Sequence, residues 1–516
     1  MRRGSTPAAR LRWIGTGMAA LMLLAGCTDD QAKPSPLPEP NPSLSVPTTP
    51  PPAATAELGA TGPATAPACE GIQIASGQDP QPVIDQHPAG TTFCFSKGLH
   101  RISRAIRPTE GSTLASDEGA VLTGSVTLTG WQRDGQHWVV RGVLPPAYKL
   151  KGRCEDDRTN PCQRGEQLFV DGEHLTRVMS RTTLKPGAFY GDYATNAVYV
   201  ADDPAGHQVE MSRTERAIES SAPRVTVRGL TVEHFATRPQ GGAVEVGVDW
   251  RVEANEVRWN HAVGIMVKEG DRAVLRRNTV ADNGQLGVGQ YKSADARITE
   301  NLVTRNNTDG FWIADWESGG IKSTRSSGEV SGNDLVANRG IGFWSDIAEY
   351  DRRIVGNRIR DNAADGIRYE ISYQGVIEGN VVENNGFGTG RGSGPSLWDG
   401  GGINVNTSSD VQVRGNLVRG NRNGISIQSR TRGDGPRGRY LLRNVVVEGN
   451  QVVMDQQTAS TGVVENKKSP APDTVHFRRN SYRIGDQAAE RFAYKGRTMT
   501  WQQWQAAGFD TDSITG

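Results

Sequence analysis

Asparagine recurs through this chain at Asn255, Asn278, Asn301, Asn333, Asn357, Asn380, Asn416 and Asn450, in steps of 23, 23, 32, 24, 23, 36 and 34 residues. A second Asn follows five places later at 260, 283, 306, 338, 362, 385 and 421. Nine places after the first Asn stands a glycine, at Gly264, Gly287, Gly310, Gly342 and Gly366. The shared phrase is N-x-V-x-x-N-x-x-x-G followed by apolar residues at alternate positions. Alternation by two places one side of the chain inward and the other outward, as in a strand. A helical repeat of similar length would show 3.6-residue spacing instead. A leucine-rich repeat would need Leu ladders, and they are absent. A period of 23 or 24 therefore predicts one coil of a parallel β-solenoid, with three coils lengthened by loops. Stacked Asn side chains can satisfy one another and the turn backbone inside each bend.

The pattern resembles the right-handed parallel β-helix repeat proteins, the pectin-lyase-like superfamily, over most of residues 68 to 510. The resemblance implies an all-β, right-handed parallel β-helix (solenoid) with an inserted β-rich domain near its N-terminal end. First coils are expected at 68–127 and the main helix at 216–480. The segment 128–215 breaks the repeat with "HWVV", "EQLFVDGEHLTRV", "GAFYGDYATNAVYV" and "HQVEMS", read as antiparallel strands of the insertion. The tail 481–516 is expected to cap the open end of the solenoid.

Upstream of the repeat, Arg2, Arg3, Arg10 and Arg12 precede a short apolar run ending in "LLAGC". That run is too short to span a bilayer. It resembles a bacterial lipobox, which implies cleavage before Cys27 and lipidation of its thiol. Residues 1–27 are thus expected to be a lipoprotein signal peptide ending at the lipidated Cys, and the Pro-rich segment 28–67 a tether. The expected location is the outer face of the cytoplasmic membrane or the cell surface, with the membrane a partner only through this lipid. The chain carries 58 basic and 57 acidic residues, or 54 against 57 once the leader is removed. Nucleic acid is not an expected partner on that balance. Four cysteines then remain, an even number in an exported chain, and their spacing suggests Cys69–Cys94 and Cys154–Cys162. No Cys or His pair has zinc spacing, and no metal is expected.

The outward residues after each repeating Gly carry the functional information. Coil by coil they read Met266/Lys268, Gly289/Tyr291, Trp312/Ala314, Trp344/Asp346, Arg368/Glu370, Asn404/Asn406 and Ser426/Gln428. A solvated face would hold Lys, Glu, Thr and Ser. This one is expected to stack Trp312 beside Trp344 and to set Asp346 directly beside Glu370, since adjacent strands lie about 4.8 Å apart. Like charges that close are unfavourable unless compensated, and Arg368 is the expected compensator. Paired carboxylates about 5 Å apart suit retaining glycoside hydrolysis, and Trp faces suit sugar rings.

An insertion near the start of a β-helix, then "WSDI" and a Glu one coil later, resembles the β-helix glycosidases of glycoside hydrolase families 120 and 141. The family 120 resemblance implies Asp346 as nucleophile and Glu370 as acid/base, without a cofactor, on a polysaccharide or oligosaccharide. Asp315 and Trp316 of "FWIADWESGG" are expected in a wall of the cleft. Trp398 and Asp399 are expected on a Gly-rich loop, 386–402, that overhangs it. Tyr291 and Lys268 extend the outward column as a further subsite, and lone His234 and His261 are read as structural. Two rival functions share the fold. A polysaccharide lyase or epimerase would use Lys268 or Arg368 as base, with Ca²⁺ held by Asp315, Glu317 and Asp346. A non-catalytic module would use the Trp face for binding alone.

Overall fold

The computed structural model describes residues 68–116, 119–149, 154–389, 401–454, 460–465 and 472–516. Cys27, the tether, Trp398 and Asp399 lie outside them. Short strands stack coil on coil into three long sheets, two of 13 strands and one of 11. The pairing along them is parallel until a C-terminal turn, where Phe492–Tyr494 meets Arg497–Met499 antiparallel. One apolar column runs the length of the interior, with Val252, Leu275, Ile298, Val330, Ile354 and Ile377 successive members of one sheet's inner face.

The asparagines explain the period. Asn333 Nδ2 donates to Asn357 Oδ1 at 2.9 Å and to Ile298 O at 2.8 Å. Its own Oδ1 accepts from the Nδ2 and the backbone N–H of Asn301, each at 2.9 Å. Only an amide can donate and accept this way at once, so Asp or Ser could not extend the ladder. The chain of contacts runs from Asn255 to Asn480 and ends on buried Asp510. A second ladder runs from Asn260 to Asn421. The repeating Gly belongs to it: a Cβ on Gly342 would stand 2.9 Å from Asn362 Nδ2 and 2.6 Å from Ile359 Cγ2.

The segment after the first coils leaves the solenoid and folds beside it. It forms a four-stranded and a five-stranded sheet around Leu128, Leu168, Phe189, Val198 and Met211. Its pairing is antiparallel except where Thr176–Val178 runs parallel to Ala188–Asp192. The solenoid closes across the excursion without losing register, Thr113–Ala115 pairing with Thr226–Arg228 and Ala120–Thr123 with Thr231–Glu233. Both disulfides, Cys69–Cys94 and Cys154–Cys162, are formed. At the far end the helix Trp501–Ala506 buries Trp501 and Trp504 against Phe477, Tyr482 and Phe492. Thr500 and Gln503 form a capping box that starts it.

One coil differs from the sequence expectation. Between Leu286–Tyr291 and Ile341–Asp346 the sheet strand is Gly319–Thr324, and residues 310–318 form a loop. The side chains beside Trp344 and Asp346 are therefore Lys322 and Thr324, not Trp312 and Ala314. Gly310 sits at the expected distance from Asn306, but the strand starts ten residues later than that spacing implies. Gly320 takes the close approach to Asn338 that Gly310 was expected to make.

Candidate active site

The 11-stranded sheet displays the site on its outer face. Register places Trp344 opposite Arg368 and Asp346 opposite Glu370, with Asn404 and Asn406 next along. Asp346 and Glu370 are 6% and 7% exposed, so both carboxylates sit low in the surface. Their partners differ. Lys322 Nζ lies 2.9 Å from Asp346 Oδ2 and 2.7 Å from Glu317 Oε1. Glu370 pairs with Arg432 and accepts from Asn406 Nδ2 at 3.3 Å. Burial pushes the Glu370 carboxyl up to about 7; the Asp346 charge adds to this, while Arg368 and Arg432 work against it. Among the described residues the cluster holds more carboxylates than cations. Asp315, Glu317, Asp346, Asp365 and Glu370 share Lys322, Arg368 and Arg432 among them.

Arg368 does not sit between the two carboxylates. Its guanidinium is held by Asp365, at 2.6 Å from Nε, and by Asp315 from the loop 310–318. Asp365 is also fixed by the Gly401 N–H at 2.7 Å and by Asn404 Nδ2 at 3.4 Å. Trp344 lies between two cations from the flanking strands. Lys322 Nζ is 3.5 Å and Arg368 Cζ 5.2 Å from its ring centroid. A buried Trp so occupied is a cation–π partner that orients two charges, not the open stacking surface expected for it.

Trp312 is likewise buried, at 2% exposed, and packs on the Cys154–Cys162 disulfide, with Trp316 stacked on it at 5.7 Å. The two tryptophans anchor the loop to the inserted domain rather than face the sheet. Asp315 does reach the site, through Arg368. The three acids weighed as a Ca²⁺ set each face a cation, Asp315 on Arg368 and Glu317 and Asp346 on Lys322. Tyr291 and Lys268 share the outer column, two and three strands from Asp346, or about 10 and 14 Å along the sheet. His234 stacks on Phe169 of the inserted domain, and His261 Nε2 meets Cys162 O at 3.1 Å.

Lys322, Asp365 and Arg432 were not singled out from sequence. The spacing gives no signal for Lys322: the first inward residue stands 13 or 14 places before the next Asn at Ile265, Val288, Phe343, Ile367 and Ile403, but Ile321 stands twelve before Asn333. Arg432 had none either, because it lies on an excursion after Ile425–Ser429 where no repeat operates.

A family model described as right handed beta helix region matches residues 242–402. The fold is a right-handed parallel β-helix. No curated protein sequence matches the chain. Among solved structures, a complex of XylC with xylose superposes with a TM-score of 0.62 at 15% identity, covering 85% of this chain and 82% of that one. The catalytic unit of a thermostable GH87 alpha-1,3-glucanase from Streptomyces thermodiastaticus strain HF3-3 gives 0.47 at 11% identity, covering 89% and 70%. The A-module of the mannuronan C-5 epimerase AlgE4 of Azotobacter vinelandii gives 0.46 at 14%, covering 87% and 98%. At these identities the likeness is one of fold.

Proposed function

We propose that this protein is a retaining glycoside hydrolase acting on an oligosaccharide or polysaccharide, with Asp346 as nucleophile and Glu370 as acid/base. The observation that carries the reading is two registered carboxylates in unlike surroundings, Asp346 on a lysine and Glu370 pushed up to about 7. A pair whose environments separate their protonation states supplies one anion and one acid near neutral pH. That a protein of similar fold binds xylose supports a sugar as ligand.

The chemistry would proceed in two displacements. An Asp346 oxygen attacks the anomeric carbon as the glycosidic C–O bond breaks, and the Glu370 proton passes to the departing oxygen. Glu370, now a carboxylate, takes a proton from water as the water oxygen attacks the same carbon. The ester to Asp346 breaks, the sugar leaves with retained configuration, and Glu370 is an acid again. Asn406, beside Glu370 on the next strand, would hydrogen-bond a sugar hydroxyl, while Asn404 lies buried beside Arg368.

Of the two bases a lyase or epimerase could use, Arg368 is tied to two carboxylates, and Lys268 stands three strands, about 14 Å, from Asp346. The hydrolase reading is favoured on that observation. Export and a lipid at Cys27 belong to the same proposal: radiolabelled fatty acid should enter the wild-type chain and not Cys27→Ser. The test of the reaction is a screen of aryl glycosides and wall polysaccharides with wild type and Glu370→Gln. Hydrolysis by the first and its loss in the second is expected. Equal rates would overturn the assignment, and unsaturated products would favour the lyase.

A further inference from the structure

Lys322 is 4% exposed and enclosed on three sides, by Glu317 at 2.7 Å, Asp346 at 2.9 Å and the Trp344 ring at 3.5 Å. Burying an ammonium is costly unless it is paired and hydrogen-bonded, and a lysine needed only for solubility would extend into water. Nothing in the solenoid repeat asks for it. The corresponding outward positions on neighbouring strands are Gly289, Trp344 and Arg368. What singles out this position is its neighbour, the carboxylate that faces Glu370.

We propose that Lys322 is a positioning residue for the reaction assigned above: it fixes the Asp346 carboxylate beside Glu370 and offsets part of its charge. The inference rests on that reading of the pair, but its physical content, how strongly the Asp346 charge acts on Glu370, can be measured without turnover. An opposite charge close by favours the ionised form of a carboxylate. With Asp346 held as the anion, its charge adds to burial in keeping Glu370 protonated. Burial works against the Lys322 ammonium, yet Asp346 and Glu317 together raise its pKa, so it stays charged throughout the working range.

Glu317 makes the proposal testable from two directions. It shares Lys322 with Asp346 and sits on the loop that the inserted domain holds, through Glu155 N–H donating to Phe311 O at 2.7 Å and a backbone bridge from Cys154 to Trp312. Removing the lysine takes support from Asp346; removing the Glu317 charge gives Asp346 the whole of it. The other charges acting on the pair are Arg368 and Asp315 on one side and Arg432 on the other. Tyr440 and Arg325 are also near: burial and then Tyr373 raise the Tyr440 hydroxyl, Arg325 opposes this, and the Asp346 charge adds least. All stay in place in both variants.

The experiment uses the full chain, wild type, Lys322→Met, Lys322→Arg and Glu317→Gln. The pH profile of kcat/KM is followed together with titration of the Glu370 carboxyl by ¹³C NMR, the resonance assigned by its loss in Glu370→Gln. In Lys322→Met the basic limb and the Glu370 titration should both rise, since the cation that offsets the Asp346 charge is lost. In Glu317→Gln both should fall, and Lys322→Arg should keep the wild-type limb. A uniform loss of rate in Lys322→Met, with the limb and the titration unmoved, would overturn the proposal. So would shifts of the same sign in Lys322→Met and Glu317→Gln. If no glycoside is hydrolysed, the hydrolase reading falls alone, and the NMR titration still decides for or against Lys322.

Discussion

Replacing Glu370 by Gln keeps the shape of the site and removes its proton chemistry. The carboxyl moves from an ordinary value of 4.5 to about 7 in the fold. A raised acid lends stability below its unfolded value and loses it as pH rises through the folded one. Between those pH values the unfolded chain has given up a proton that the native site retains. At about 1.4 kcal/mol per pH unit, wild type therefore loses on the order of 3 kcal/mol from this group across that window. Gln carries no such proton and suffers no such loss. The unfolding free energy of Glu370→Gln minus that of wild type should climb by that amount between pH 4.5 and 7, and stay level on either side. Urea midpoints at pH 4, 5, 6, 7 and 8, with slopes compared to confirm equal exposure on unfolding, measure the difference. Hydrolysis should fall by about 10² to 10⁴, the usual worth of a general acid. A stability difference that is flat from pH 4 to 8 would refute the argument, because Glu370 would then ionise as a surface acid does.

Arg432 works against the burial of Glu370, so Arg432→Met should move the basic limb of kcat/KM upward; a limb that stays or falls would show that the ion pair does not act on the acid. Behind the site strands, Glu349 is wholly buried and bonded by Arg352 Nε at 2.7 Å and Ser323 Oγ at 2.9 Å. Arg352→Met should cost about 3–5 kcal/mol, as loss of one partner of a buried pair does. Burial already raises the Glu349 carboxyl, so that cost should grow with pH, measured by urea unfolding. Asn333→Ala should cost at least about 2 kcal/mol, since the Ile298 carbonyl and the Asn301 donors lose their partner inside the bend.

Much of this arrangement was legible in the sequence because a solenoid converts spacing into position. The 24 residues from Asp346 to Glu370 are one circuit, and the Asn ladders hold that circuit to a fixed register. Alternation then settled which side chains face outward. Periodicity misleads where a loop interrupts the circuit. Gly310 and its apolar neighbours imitate the start of a strand, and the loop displaces the true one by ten residues to Gly319–Thr324. The error exchanged Lys322 for Trp312, and with it a charged neighbour of Asp346 for an aromatic one. Trp344 was correctly read as outward. What an outward Trp does depends on its flanking residues, and two cations make it an anchor for charge. Partners brought in from long excursions, such as Arg432, leave no periodic trace.

The central claim is that Asp346 forms a bond to the sugar. A 2-deoxy-2-fluoro derivative of whichever activated glycoside the screen finds should slow the second displacement and trap the intermediate. Mass spectrometry of the digested protein should then show one glycosyl adduct, on the peptide bearing Asp346, and none in Asp346→Ala. Hydrolysis with inverted anomeric configuration, or an adduct on any other residue, would contradict the account.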